Sequence, residues 1–131
     1  MPDRAQLRRW IKAALQCDAN ITLRFADEPE GRALNKRYRG KDYATNVLTF
    51  VFDDAQPLSG DVVICAPVAE KEAREQRKDL LEHYAHLAIH AVLHLQGYDH
   101  GRVADAAEME SRETAIMLKL GYADPYQGVV S

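Results

Sequence analysis

Cysteine is nearly absent, with Cys17 and Cys65 the only two in 131 residues. Two isolated thiols exclude a disulfide framework and a cysteine-based metal site, and they suit a reducing cytoplasm, the expected location. The chain also lacks any run of eighteen apolar residues, so no membrane-spanning helix and no membrane partner are expected. No basic-then-apolar leader opens it, which argues against a signal peptide. Repeats, linkers and low-complexity tracts are missing as well. The length fits one domain, residues 1–131, large enough to bury a core without outside support. Nor is there an excess of positive charge: the net charge is −3, which argues against indiscriminate coating of nucleic acid.

The acidic total conceals an asymmetry. Residues 1–41 hold ten basic and five acidic side chains, a balance of +5, whereas residues 42–131 hold seven and fifteen, a balance of −8. The basic excess peaks at Arg32, Lys36, Arg37, Arg39 and Lys41. From charge alone a solvated helix face is the plainer reading, although one basic patch is also what a protein reading a particular RNA region needs.

The expected fold is α+β, a small mixed sheet of three to four strands flanked by about five helices, and hydrophobic spacing marks its elements along the chain. Leu7, Trp10, Ile11, Ala14 and Leu15 recur at helical spacing after Pro2 and Asp3. Ile21, Leu23 and Phe25 alternate with polar residues as a half-buried strand does. Residues 29–38 read as a second helix ending near Gly40, 47–52 as an apolar strand, 53–59 as turn and 61–65 as a strand inside the sheet. A charged helix starts at Pro67, with Glu70 to Glu75 expected to face solvent, and Cys65 before it reads as a small core residue. Residues 80–95 are apolar on nearly every face, so this helix is expected to be central and buried. Residues 105–120 form the last helix, with Met109, Ile116, Met117 and Leu120 inward. Its carboxylates Asp105, Glu108, Glu110 and Glu113 are expected to face solvent, unless one of them supports a ligand histidine.

The buried central helix carries the candidate metal ligands. His90, His94 and His100 stand at i, i+4 and i+10, with Gly97 between the second and third. Residues four apart share a helix face, so His90 and His94 can hold one ion together. A straight helix would leave the third about 15 Å along the axis. Gly97 can end the helix in a left-handed conformation and bring His100 back. Three neutral imidazoles with a fourth position open make a catalytic rather than a structural zinc site. His86 adds a third rung below, but His86 and His94 lie roughly 12 Å apart, too far to share an ion. His86 and His83 are therefore expected to pack or to hydrogen-bond. The spacing is that of metzincin proteases, except that Ala91 occupies the position of the glutamate base, which disfavours peptide hydrolysis by that route.

The segment from Tyr38 to Phe50 (YRGKDYATNVLTF), the run Gly60 to Cys65 (GDVVIC) and the block His90 to His100 closely resemble the bacterial YbeY family. The similarity continues through Glu108-Met109-Glu110 and Leu120-Gly121-Tyr122. It implies a zinc-dependent single-strand endoribonuclease that acts in ribosomal RNA maturation, notably at the 3′ end of 16S rRNA, and in ribosome quality control. Implied partners are ribosomal RNA, the small ribosomal subunit and other assembly proteins. The resemblance also assigns the metal ligands to His90, His94 and His100, and the family's functional arginine to Arg39. Two departures stand out. Ala91 replaces the usual glycine, adding a methyl group near the metal, and the chain starts at the helix rather than at a preceding strand, so the sheet is expected to be one strand short.

On this reading, one Zn2+ ion and Arg39 grip the scissile phosphate from opposite sides, zinc as a Lewis acid and the guanidinium through paired hydrogen bonds. The nucleophile is either water activated by zinc or the RNA's own 2′-hydroxyl, with Asp99 and the last helix's carboxylates available as bases. Two other classes remain: a non-catalytic ribosome assembly factor that zinc merely braces, and a metallohydrolase of another substrate.

Overall fold

Three of the helices start where a side-chain oxygen takes up a backbone N–H that has no partner inside the helix. In the computed structural model, which describes residues 1–53, 57–97 and 103–126, Asp3 caps α1 (Arg4–Ala14) in a reciprocal capping box with Gln6. Asp27 caps α2 (Glu28–Arg39) and Asp79 caps α4 (Leu80–Leu95). Between α2 and α4 lie β2 (Val47–Asp53), β3 (Leu58–Cys65) and α3 (Ala66–Glu75). β1 (Ala19–Ala26) precedes α2, and α5 (Val103–Lys119) follows α4. Gly40, at φ 69°, ends α2 in the left-handed conformation that glycine adopts without strain.

The three strands are ordered β1-β3-β2, with β1 parallel and β2 antiparallel to β3. The expected mixed sheet with five flanking helices is therefore present. β3, the most buried strand, lies in the middle, covered on both faces. Two strands outrun the sequence reading because their ends pair with each other. Ala19 aligns with Leu58 and Asn20 with Ser59, and Leu58 N donates to the carbonyl of Asp18 at 3.0 Å. Parallel pairing thus draws residues 58–60 out of the turn and into the ladder.

Alternation along β3 divides the interior. Val62 and Ile64 face α4 in the main core, which also holds Trp10, Tyr84, Ile89, Val92, Leu93, Met109 and Met117. Val63 points the other way, with Ala26 and Leu48, and α2 covers that face through Leu34. Burying seven large side chains of this kind contributes about 1.5–3 kcal/mol each before chain entropy is counted. The central helix is buried as expected, with ten of its residues inside. Gln96 locks its end to α1, accepting from Gln16 N at 2.7 Å and donating to the carbonyl of Ala14 at 2.8 Å.

Candidate metal centre and adjoining groove

One stripe of α4 escapes burial, and it is the histidine stripe. His86 and His90 are half-buried and His94 is exposed, while Leu87, Ala88, Ile89, Ala91, Val92 and Leu93 between them are inside. The sequence reading placed these imidazoles on a helix buried on nearly every face. The structure corrects that point, because they line an open edge of an otherwise buried helix.

What fixes His86 and His90 is Glu113, one of the α5 carboxylates expected in solvent unless it supported a ligand histidine. It is fully buried, on the apolar stripe between Met109 and Met117. Its Oε2 accepts from His86 Nε2 at 2.6 Å and from the Tyr126 hydroxyl at 2.6 Å, and its Oε1 accepts from His90 Nδ1 at 2.6 Å. Burial alone would raise the carboxyl pKa, but the bonds from His86 and His90, the charge of His90 and the Tyr126 bond outweigh it and bring it to about 2. The same contact, with burial, pushes the Tyr126 hydroxyl up, so the phenol keeps its proton.

An ionised carboxylate only accepts, so His86 must carry its proton on Nε2 and His90 on Nδ1. His90 consequently presents Nε2 as the nitrogen with a lone pair. A metal-binding histidine is typically held from behind by a carboxylate in this way. Glu113 was not singled out before, yet the signal exists in the sequence. Met109, Glu113 and Met117 are spaced by four, so the carboxylate shares the inward face.

His86, His90 and Glu113 are also the cluster of metal-competent side chains among the described residues, with ligand atoms within 4.8 Å of one another. Their 2.6 Å contacts are hydrogen-bond distances. Two atoms each about 2 Å from a tetrahedral ion would stand farther apart.

The four site residues expected from the sequence separate. Arg39 and His94 come together, lining an open groove of about 470 Å³ with Tyr38, Phe50 and Phe52. His90, one turn back along α4, lines a neighbouring cleft of about 360 Å³ with Glu72, His83 and Tyr126. Gly97 has φ 102° and donates to the carbonyl of His94 at 3.0 Å, so the helix ends where a chain reversal was expected. His100 lies outside the described residues. Of the basic patch, Arg32 is paired to Asp42 at 2.8 Å, leaving Lys36, Arg37, Arg39 and Lys41 exposed toward the groove end of α2.

The remaining histidine takes the hydrogen-bonding role expected of it. His83 is buried and meets Glu72 Oε1 at 3.1 Å, and Glu72 also receives the Asn46 amide at 3.1 Å. Glu72 is therefore not the solvent-facing residue anticipated in the charged helix. Cys65 is buried as expected, and burial raises its thiol pKa.

Imidazoles that a buried carboxylate holds in one tautomer, next to an exposed arginine, suit the class of metal-binding hydrolases that act on anionic substrates. Comparison with known proteins makes the class particular. The family model described as Endoribonuclease YbeY matches residues 3–121, and the chain belongs to that family. The Endoribonuclease YbeY of Cupriavidus necator is 58% identical over 98% of this chain and 66% of its own length. That of Nitrosospira multiformis is 56% identical over 98% of this chain and 75% of its own length. The chain thus spans about two thirds to three quarters of these relatives. A solution structure from Thermotoga maritima, 24% identical, superposes with a TM-score of 0.58 over 93% of this chain and 87% of its own, and supports the fold. The family expected from the Tyr38–Phe50 and His90–His100 segments is borne out. Among the described residues no helix is long and apolar enough to cross a membrane.

Proposed function

We propose that residues 1–131 act as a metal-dependent endoribonuclease domain that cuts single-stranded RNA during ribosomal RNA maturation in the cytoplasm, with the small ribosomal subunit as its partner. The observation that carries the reading is the shared groove of Arg39 and His94, set beside a histidine whose tautomer Glu113 fixes. The ion is one Zn2+, held by His90, His94 and His100. The donor set fits it: His90 offers Nε2 because Glu113 engages Nδ1, and His94 stands one helical turn on. When bound, the ion supplies a Lewis acid for a phosphate oxygen.

The chain's own residues do the rest. Arg39 donates two parallel hydrogen bonds from its planar guanidinium, so it orients the phosphate against the histidine edge. Glu113 keeps His90 in register through its contact with Nδ1. Lys36, Arg37 and Lys41 draw the RNA backbone toward the groove.

His94→Ala and Arg39→Ala test the proposal, because both side chains are exposed and neither supports the core. Cleavage of a single-stranded RNA should fall about 10²–10³-fold for Arg39→Ala, the usual cost of one charge-stabilising donor, and should vanish for His94→Ala along with bound zinc. Circular dichroism should show both variants folded. In cells, His94→Ala should leave 16S rRNA with an unprocessed 3′ end. Full activity in a His94→Ala protein shown to be metal-free would reject the assignment.

A further inference from the structure

The groove holds a feature that phosphate binding does not need. Tyr38 is 56% exposed and Phe52 is 67% exposed, an unusual state for two aromatic rings beside a charged site. Both belong to the rim that Arg39 and His94 share. Neither ring is placed casually. Tyr38 packs edge-to-face on Phe50, with centroids 5.1 Å apart and planes at 68°. The Arg37 guanidinium lies 5.3 Å from the Tyr38 centroid. Phe52 sits at a register shift in the edge strand β2: Val51 pairs with Gly60 and Asp53 with Ser59, so Phe52 is the inserted residue. A bulge of this kind turns a side chain out of the sheet.

We infer that Tyr38 and Phe52 form a stacking platform for unpaired bases flanking the phosphate at Arg39, and that this platform selects single strands. The inference rests on the nuclease reading and adds to it the residues that set selectivity. Exposed rings interleaved with cations are how proteins bind single-stranded RNA: the cations follow the backbone and the rings take the base faces. Arg39 and Arg37 give the rim the matching charge. Arg37 extends the platform, because guanidinium planes also stack on bases. A duplex has its base faces covered by neighbouring pairs, so it gains the charge but not the stacking. A protein partner would also cover apolar rings, but it would have no use for an arginine and an imidazole at their centre.

The test uses a fluorescein-labelled single-stranded RNA decamer carrying 2-aminopurine at successive positions, and the same sequence as a duplex, rapidly mixed with the protein. Emission of 2-aminopurine reports stacking, anisotropy reports binding, and cleavage is scored separately. With wild type, emission at one or two positions should be quenched. Tyr38→Ala and Phe52→Ala should each abolish their own quench and weaken single-strand binding roughly 5- to 150-fold, the range for one base–aromatic stack. Tyr38→Phe should restore both, and duplex binding should change little. Unquenched emission with wild type, or Ala variants that bind the single strand as tightly as wild type, overturns the platform while leaving the nuclease reading to its own assay. Stacking intact without any cleavage by wild type upholds the platform and overturns the nuclease.

Discussion

Glu113 Oε1 accepts from His90 Nδ1 at 2.6 Å across the packing of α5 on α4, with the carboxylate wholly buried. A buried charge is stable only while its partners remain, and here His86, His90 and Tyr126 are all bound to one group.

Glu113→Ala should therefore destabilise the fold by about 3–5 kcal/mol, since it removes the buried acceptor that His86, His90 and Tyr126 share. Glu113→Gln keeps the shape but removes the charge and turns an NH2 toward at least one donor. Its cost should be smaller, about 1–3 kcal/mol, and zinc affinity should fall about 10–100-fold as His90 loses its fixed tautomer. Urea unfolding and zinc titration against a chromophoric chelator measure the two effects. Wild-type zinc affinity in Glu113→Gln would mean that His90 does not depend on this carboxylate.

How much of this was legible in the sequence varies from residue to residue. Helix positions followed from spacing and, at α1, from Asp3, whereas β1 and β3 run longer than alternation indicated because their ends pair with each other. The groove was half-legible, since charge put Arg39 in a patch and spacing put His94 on α4, but only the β1-β3-β2 order brings the end of α2 beside α4 across β2. Glu113 and Glu72 were misread for one reason. Acidic residues in a charged helix are usually solvated, whereas Glu113 is buried and Glu72 half-buried against histidines of α4, a pairing that no local pattern contains.

The second prediction concerns acid. Burial lowers the His83 pKa below 6.5, against the upward pull of the Glu72 bond and charge, with His86 and Lys78 adding to the lowering. The unfolded chain thus takes up this proton first. His83's contribution to stability is complete above about 6.5 and is lost as pH falls through the folded value. Glu113 follows the same sign at lower pH: its contribution is complete above 4.5 and is lost as pH falls toward about 2. The urea midpoint should therefore decline in two stages on acidification. In His83→Gln, which keeps a donor to Glu72, the first stage should shrink. An unchanged profile between pH 7 and 5 would remove His83 from this role.

Gly60 sets the β2–β3 spacing under the groove. A Cβ there would lie 2.7 Å from the carbonyl oxygen of Phe50 and 3.1 Å from Leu95 Cδ2. Since a backbone oxygen cannot rotate away, Gly60→Ala should cost about 1–3 kcal/mol through strand displacement. Gly31→Ala makes the comparison: its Cβ would meet the Cys65 thiol at 3.0 Å, but helix propensity returns about 1 kcal/mol. Urea unfolding should show a clear loss for the first and a much smaller change for the second. Equal losses would show that the Phe50 carbonyl yields.

Removal of the ion separates an enzyme from a braced scaffold. The core around Trp10, Tyr84, Ile89, Leu93, Met109 and Met117 closes without either described candidate ligand, because His94 is exposed and His90 is half-buried at its margin. Chelation should therefore leave the far-ultraviolet dichroism at 25 °C intact. It should lower unfolding stability only by mass action, about 2.7 kcal/mol when free zinc had been a hundredfold above its Kd. A structural zinc would behave otherwise, since its binding energy is folding energy and a chelator unfolds the chain. Loss of the helical signal in EDTA would place the ion among the supports of the fold, and the groove shared by Arg39 and His94 would then need another explanation.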